Sequence, residues 1–213
     1  MTTTTTVDWE IDDKVLHMFA LVSEGITAAT AAFVGVDLDV ARRLVADDPF
    51  INDLQRRIET MVEERLMSGV AISPHDARSM IAVLRIVPEL ERAGDLVEHI
   101  ALRTPQGLAE SIPVRCRVLL EDMGCVAAEM WRLAADAYAD TDPSAAARLR
   151  VRDDALDDLH VRLTAQLAAS DISVAMAIEM GLIARFYERL GDHAVNVARR
   201  VHDGADHGGT ESP

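Results

Sequence analysis

The chain is poor in aromatic residues, which make up only 4% of its 213 positions although 49% are hydrophobic. Its apolar residues are mainly Ala, Leu, Val, Ile and Met. Sheets are enriched in β-branched and aromatic side chains, whereas this composition suits closely packed helices. The scarcity of aromatic residues therefore argues against a fold built on β-sheets.

Cysteine is also scarce, since only Cys116 and Cys125 are present. They are nine positions apart on one predicted helix, which places them about 14 Å apart on roughly opposite faces. A disulfide needs Cα atoms within about 7 Å. We therefore expect two reduced thiols, consistent with the cytosol, and their spacing does not suit metal ligation.

Positive charge is deficient, because 21 basic residues face 36 acidic ones and the net charge is −15. A nucleic-acid backbone or an anionic membrane surface would be repelled by such a protein. Nucleic acid is therefore excluded as an expected partner. Cations and basic protein surfaces are favoured instead.

Long apolar runs are missing from the sequence. The opening stretch MTTTTTVDWEIDDK is polar and acidic and lacks the apolar region of a signal peptide. No run approaches the roughly 18 apolar residues needed to span a bilayer. We expect a cytoplasmic protein without direct membrane insertion, with disordered tails at residues 1–11 and 204–213.

Amphipathic helices account for most of the remaining sequence. Apolar residues recur at helical spacing, and Gly, Pro, Asp or Ser separate the segments. No alternating strand pattern of useful length is present. The sequence predicts an all-α fold with six helices, at about 12–35, 38–68, 74–103, 107–140, 144–169 and 172–203.

The sequence contains an internal repeat. Residues 31–54 align with residues 136–159 at an offset of 105 positions, and the stretch ERAGD aligns with ERLGD at an offset of 97. The first half therefore has eight more residues than the second, for which the stretch MSGVAISP between its second and third helices is the natural place. The repeat predicts two tandem homologous three-helix bundles, at residues 12–104 and 105–203.

Each repeat carries acidic residues four positions apart on its last helix, Glu91 and Asp95 in the first and Glu188 and Asp192 in the second. Like charges at this spacing destabilise an isolated helix by about 0.2–0.5 kcal/mol. One such pair is usually a solvated surface, since chance alone gives about six in a chain of this composition. Recurrence in the same register makes these two pairs more informative.

The preceding helix of each repeat supplies a matching pair, Asp48 and Asn52 in the first and Asp153 and Asp157 in the second. Consecutive helices joined by a short turn pack antiparallel, which would bring the pairs together. Oxygen ligands of this kind suit hard cations such as Mg²⁺, Mn²⁺ or oxidised iron, with zinc a further candidate. His160, one turn beyond Asp157, is an additional candidate ligand.

Four stretches of the sequence resemble the PhoU family of phosphate-signalling regulators. The resemblance covers about residues 12–203 and rests on SPHDARSM, ELERAGDLVEHIA, DDALDDL and YERLGDHAVNVARRV. It implies two similar three-helix bundles and multinuclear metal clusters held by the acidic pairs. It also implies a cytoplasmic regulator that restrains phosphate uptake and phosphate-starvation signalling. The implied partners are the ATPase subunit of the phosphate ABC transporter and a sensor histidine kinase, and homodimerisation is a further expectation.

The first repeat departs from the family pattern in three places. Asn52 replaces an acid, Pro49 is expected to steer Asp48 away from helical geometry, and Pro88 is expected to kink the third helix. The second repeat has four carboxylates and no proline near them. We therefore expect the second site to hold metal more tightly than the first.

Two other functions are considered. A ferritin-like di-metal carboxylate enzyme would need Glu-x-x-His on two helices, and no Glu in this chain is followed three residues later by His. A metal-free acidic helical scaffold is the second alternative. The sequence contains no nucleophile–base pairing, Gly-rich phosphate loop or fingerprint of an organic cofactor, so we expect a protein that is not an enzyme.

Overall fold

The computed structural model describes residues 6–140 and 144–206. Helices occupy most of these ranges, and no strand occurs within them. Two short 3-10 turns, Thr104–Gln106 and Leu108–Ser111, connect the third and fourth helices. The predicted all-α fold is therefore confirmed, with α1 at Thr6–Gly35, α2 at Leu38–Met67, α3 at Pro74–Ala101, α4 at Val114–Asp140, α5 at Ala145–Ala168 and α6 at Val174–Asp206.

The ends of several helices differ from the predicted ones. α1 already includes residues 6–11, because Ile11 is buried in the core, and α6 continues through residues 204–206. These residues are therefore helical where disordered tails were predicted, while residues 1–5 and 207–213 lie outside the described ranges. α4 begins seven residues later than predicted, after the 3-10 turns.

The extra residues of the first repeat are mostly helical. The loop between α2 and α3 spans residues 68–73, only one residue longer than the loop at 169–173 between α5 and α6. The Ser73 hydroxyl accepts a hydrogen bond from the amide of Asp76, which starts α3 with Pro74 in its first turn. The insertion therefore lengthens α2 and α3 rather than the connecting loop, contrary to the prediction.

The two halves fold as three-helix bundles that share one core. Helices α1, α2 and α3 pack against one another, and so do α4, α5 and α6. The bundles join where α1 packs on α4 and α3 packs on α6, with α2 and α5 on the outside. Buried side chains form one continuous cluster across both halves, in which Trp131 and Tyr187 are the largest. The predicted tandem bundles are confirmed.

Helix α1 carries the most apolar stretch of the chain. The segment Trp9–Gly35 is long and apolar enough to cross a membrane by length and composition, so the expectation that no such run exists is wrong. However, 56% of its most apolar window is buried inside the protein. Core helices have the same composition, and α1 is a helix of the first bundle that also packs against α4 of the second.

Two glycines allow the helices of each bundle to approach closely. A Cβ on Gly94 would lie 2.9 Å from Cδ1 of Ile51, and a Cβ on Gly191 would lie 2.8 Å from Cδ2 of Leu156. The two glycines are related by the offset of 97, and Ile51 and Leu156 by the offset of 105. The same contact therefore recurs in both bundles and fixes α2 on α3 and α5 on α6.

Candidate metal centres

The second bundle gathers the four predicted carboxylates, which we call the second acidic cluster: Asp153, Asp157, Glu188 and Asp192. Burial, followed by repulsion from Asp157 and Asp192, raises the pKa of Asp153 to about 6. Burial, followed by repulsion from Glu188 and Asp192, also raises the pKa of Asp157. The carboxylates of α5 and α6 are therefore close enough to oppose one another's ionisation, as the sequence predicted.

Gly191 makes room for the carboxylate of Asp153. A Cβ at Gly191 would lie 3.0 Å from Oδ1 of Asp153, closer than ordinary contacts allow. The missing side chain thus lets an acid of α5 lie against the backbone of α6. Even an alanine here would displace a candidate ligand.

Glu188 has two basic neighbours and one oxygen without a hydrogen bond. Arg185 pairs with Oε1 of Glu188, and Nδ1 of His160 lies 3.0 Å from its Oε2. Oε2 is buried, yet no donor in the described part of the chain is aligned to hydrogen-bond it. An acceptor in this state fits a cation, because a metal ion could take the free lone pairs.

The first bundle gathers its predicted acids in the same way, and we call Asp48, Glu91 and Asp95 the first acidic cluster. Burial, followed by repulsion from Asp95, raises the pKa of both Asp48 and Glu91. Asn52 takes part through its amide, whose Nδ2 donates a hydrogen bond to Oδ2 of Asp48 at 3.1 Å. The hydrogen bond from Asn52 and the charges of His99 and Arg92 offset only part of the burial and repulsion, because the pKa values of Asp48 and Glu91 stay raised.

Two acids that the sequence analysis missed add to the first cluster. Glu59 on α2 repels Glu91, and the pKa of Glu98 is raised by burial and by repulsion from Asp48. Helical register could have indicated Glu98, which lies three residues after Asp95 on the same helix. The first cluster therefore does not lack negative charge, contrary to what the substitution by Asn52 suggested.

The carboxylates are close together without forming a finished coordination sphere. Among the side chains that the structure describes, at residues 9–139 and 144–201, no three His, Cys, Asp or Glu are positioned to hold one metal ion. Repulsion keeps the ionised acids apart in the absence of a cation. The carboxylate of Glu188 is also held by its contacts with Arg185 and His160. The candidate ligands are all oxygen atoms, and the acids of each cluster lie on one face of their helices. Their side chains would therefore have to rotate toward one another to bind a cation. The ligand assignments stay a prediction.

The two prolines of the first repeat lie inside continuous helices. α2 includes both Asp48 and Pro49, so the expectation that Asp48 leaves helical geometry is wrong. α3 likewise continues through Pro88. Packing of α2 on α3 through Ile51 and Gly94 outweighs the local preference of the residue before proline.

A buried polar cluster, which was not predicted from the sequence, joins α3 to α6, the last helices of the two bundles. Glu89 on α3 is only 3% exposed, and its Oε2 lies 2.6 Å from Nδ1 of His193 on α6. Nη2 of Arg200 lies 2.8 Å from its Oε1, and Nη1 of Arg200 donates to the carbonyl of Arg85. We call Glu89, His193 and Arg200 the inter-bundle triad.

The triad keeps Glu89 ionised. Burial by itself raises the pKa of this carboxyl, but the hydrogen bond with His193 and the charges of Arg200, His193 and Arg92 lower it overall. Glu89 is two residues from Glu91, and His193 is adjacent to Asp192. Phe186 occupies the position equivalent to Glu89, so the second repeat has no counterpart of this acid.

The raised pKa values predict that the metal-free protein is more stable near pH 5 than near pH 7. The pKa of Asp153 is about 6 in the folded protein, against an ordinary aspartate value of 3.8. Its ionisation therefore disfavours folding, and stability falls as the pH rises between those values. The midpoint of thermal unfolding, measured with a chelator present, should drop by a few degrees over this range.

An Asp153→Asn variant should reduce this pH dependence, because the group responsible is removed. Asp158→Asn, at an exposed position on the same helix, is the matched control and should leave the dependence as it is. Greater stability near pH 7 in all three proteins would contradict the prediction.

Comparison with known proteins identifies one family. The family model described as "PhoU domain" matches residues 15–104 and 120–201. The chain is 33% identical over 198 residues to "Phosphate-specific transport system accessory protein PhoU homolog 2" of Mycobacterium tuberculosis, which covers 90% of this chain and 91% of the relative. A PhoU homolog of Rhizobium meliloti is 26% identical over 195 residues, covering 89% and 81%.

Solved structures give the same result for the fold. The crystal structure of PhoU from Pseudomonas aeruginosa superposes with a TM-score of 0.84 at 25% identity, covering 93% of this chain and 96% of the other. The phosphate transport system regulatory protein PhoU from Streptococcus pneumoniae gives 0.82 at 22% identity, covering 96% and 97%. The second likeness, at lower identity, concerns the fold alone.

Proposed function

The chain belongs to the PhoU family, and from this premise we propose that it restrains phosphate uptake by binding the ATPase subunit of a phosphate ABC transporter. The observation that carries the proposal is the match of both bundles to the PhoU domain. The last helix of each bundle carries its acidic pair at the equivalent position of the repeat. Relatives named as accessory proteins of the phosphate-specific transport system support a regulatory rather than a catalytic role. The site of action is the cytoplasmic side of the membrane, where the ATPase subunit lies.

The sensor histidine kinase of the phosphate-starvation response is the proposed second partner. A chain with net charge −15 attracts basic protein surfaces over a distance of about one Debye length, roughly 8 Å at physiological salt. Charge of this sign favours encounter with either partner through a basic patch. Specificity then depends on the surfaces that meet, which the charge does not determine.

Metal ions complete the proposal. Iron, zinc, magnesium or manganese bound by the two acidic clusters would remove the repulsion that raises the pKa of Asp48, Glu91, Asp153 and Asp157. The residues that would hold them are those predicted from the sequence. Oε2 of Glu188, which lies near His160, is buried and accepts no hydrogen bond from the described part of the chain. Bound cations would stabilise α2 on α3 and α5 on α6, so they act here as structural groups.

Deleting the gene tests the regulatory proposal. Phosphate uptake and expression of phosphate-starvation genes should both rise severalfold in phosphate-replete cells, because the restraint on the transporter is lost. Uptake is measured with radiolabelled phosphate, and expression with a reporter. The wild-type gene supplied in trans should restore both.

Variant genes sharpen the test. Asp153→Asn combined with Asp192→Asn should restore regulation only partly if metal in the second cluster supports function. Asp136→Asn, at an exposed position on α4, is the control and should restore it fully. If phosphate uptake and starvation-gene expression were unchanged in a deletion strain that has no second copy of the gene, the proposed regulatory role would be wrong. Direct binding of the purified ATPase subunit would distinguish a regulator from an inert acidic scaffold.

A further inference from the structure

The first bundle contains a pocket of about 390 Å³ between α1, α2 and α3. This volume lies within the range of about 300–1,000 Å³ that is typical of small-molecule sites. Most of the lining is apolar, and the residues concerned are Leu21, Val22, Gly25, Ala28, Leu44, Phe50, Ile51, Gly94 and Val97.

Small residues on α1 explain why the pocket exists. Gly25 and Ala28 line it, and the offset of 105 places Met130 and Leu133 at the equivalent positions on α4. In the second bundle, Cε of Met130 reaches within 3.3 Å of the position that a Cβ on Gly191 would take. The larger side chains thus fill in one bundle the space that is open in the other.

The polar part of the lining is entirely acidic. Glu24, Asp47, Asp48 and Glu98 contribute to it, and none of the described lining residues is a lysine, an arginine or a histidine. Asp48 and Glu98 are half-buried beside the apolar wall of the pocket. His99, which is not part of the lining, is the basic group that acts on both of them, so the pocket itself supplies no positive charge to these carboxylates.

We propose that this pocket binds an organic cation with a compact apolar body. The ammonium group lies against Asp48 and Glu98, and the apolar body occupies the space left by Gly25 and Ala28, against Ile51 and Val97. Anionic and neutral molecules of the same shape lack the charge interaction. The inference goes beyond phosphate regulation, and it makes the organic cation a competitor of metal for Asp48.

Three probes of similar shape and different charge test the ligand class: phenylbutylammonium, phenylbutanol and phenylbutyrate. Each is titrated calorimetrically into the full chain with a metal chelator present. The cation should bind up to about fivefold more tightly than the alcohol, the largest factor expected of one partly exposed ion pair. The carboxylate should show no binding. Equal affinity of the three probes would overturn the proposal.

Matched variants locate the site. Ala28→Leu copies the residue of the second bundle and should weaken binding of the cation more than tenfold, because the leucine takes the ligand's volume. Asp48→Asn should reduce the affinity to that of the alcohol, whereas Asp153→Asn, the equivalent change in the second bundle, should leave it unchanged. If the two Asp variants lost the same affinity for the cation, the attraction would come from the overall acidic charge of the protein. The proposal that this pocket binds the cation would then be wrong. That comparison decides the matter even if Ala28→Leu does not fold.

Discussion

Replacing Glu89 by alanine is expected to lower the free energy of unfolding by about 3–5 kcal/mol, which is the cost of removing one partner of a buried ion pair. Glu89 is almost completely buried and contacts His193 and Arg200 across the joint between α3 and α6. Its removal leaves the buried His193 without its partner, whereas Arg200, whose side chain is 32% exposed, still donates to the carbonyl of Arg85. Urea unfolding followed by circular dichroism measures the change.

Two further variants make the result specific. Glu89→Gln keeps the shape and one acceptor but loses the charge opposite Arg200, so its loss of stability should be intermediate. Glu98→Gln, on the same helix, should be neutral or slightly stabilising, because the raised pKa of Glu98 shows that its charge is unfavourable where it lies. If the Glu89 and Glu98 variants had the same stability, the inter-bundle triad would have no special role.

The second large effect concerns metal content. Asp192→Asn is expected to remove more bound metal than Asp95→Asn, with a difference in affinity on the order of tenfold or more, about 1.4 kcal/mol. In the second acidic cluster all four side chains are carboxylates, and Glu188 has a buried oxygen without a hydrogen bond. In the first cluster the amide of Asn52 already donates to Asp48.

Elemental analysis of protein purified without chelator measures this difference. Both variants remove one charge from the same motif position in the two repeats, so each is the other's matched control. The additional acids Glu59 and Glu98 work against the predicted asymmetry, because they return negative charge to the first cluster. Equal loss of metal in the two variants would mean that this charge compensates for Asn52.

The repeat could be predicted from the sequence because short motifs recur in both halves at a constant offset. Gly94 and Gly191 lie in the matching motifs ERAGD and ERLGD. In the structure a neighbouring helix approaches each of them closely, through Ile51 and Leu156. The acidic clusters were predictable for the same reason, since helical spacing and repeat register determine which carboxylates share a face.

The inter-bundle triad could not be predicted in this way. Glu89 and His193 are 104 residues apart, and their contact depends on how one bundle lies against the other. No periodicity within either repeat contains that information. The same limit explains the error at Pro49, where a rule about neighbouring residues was overruled by packing between helices.

The shared core also has a consequence for the origin of the chain. Thr30 of the first bundle and Tyr187 of the second form a buried hydrogen bond of 2.8 Å, and α1 and α3 bury their apolar faces against α4 and α6. An ancestor with a single three-helix unit would have exposed that whole face to water. It could have been soluble only as a symmetric pair of identical subunits. Duplication of such a unit within one gene would join the two subunits in one polypeptide and would let each copy change separately, and the repeat indeed has Glu89 in one half and Phe186 at the equivalent position of the other.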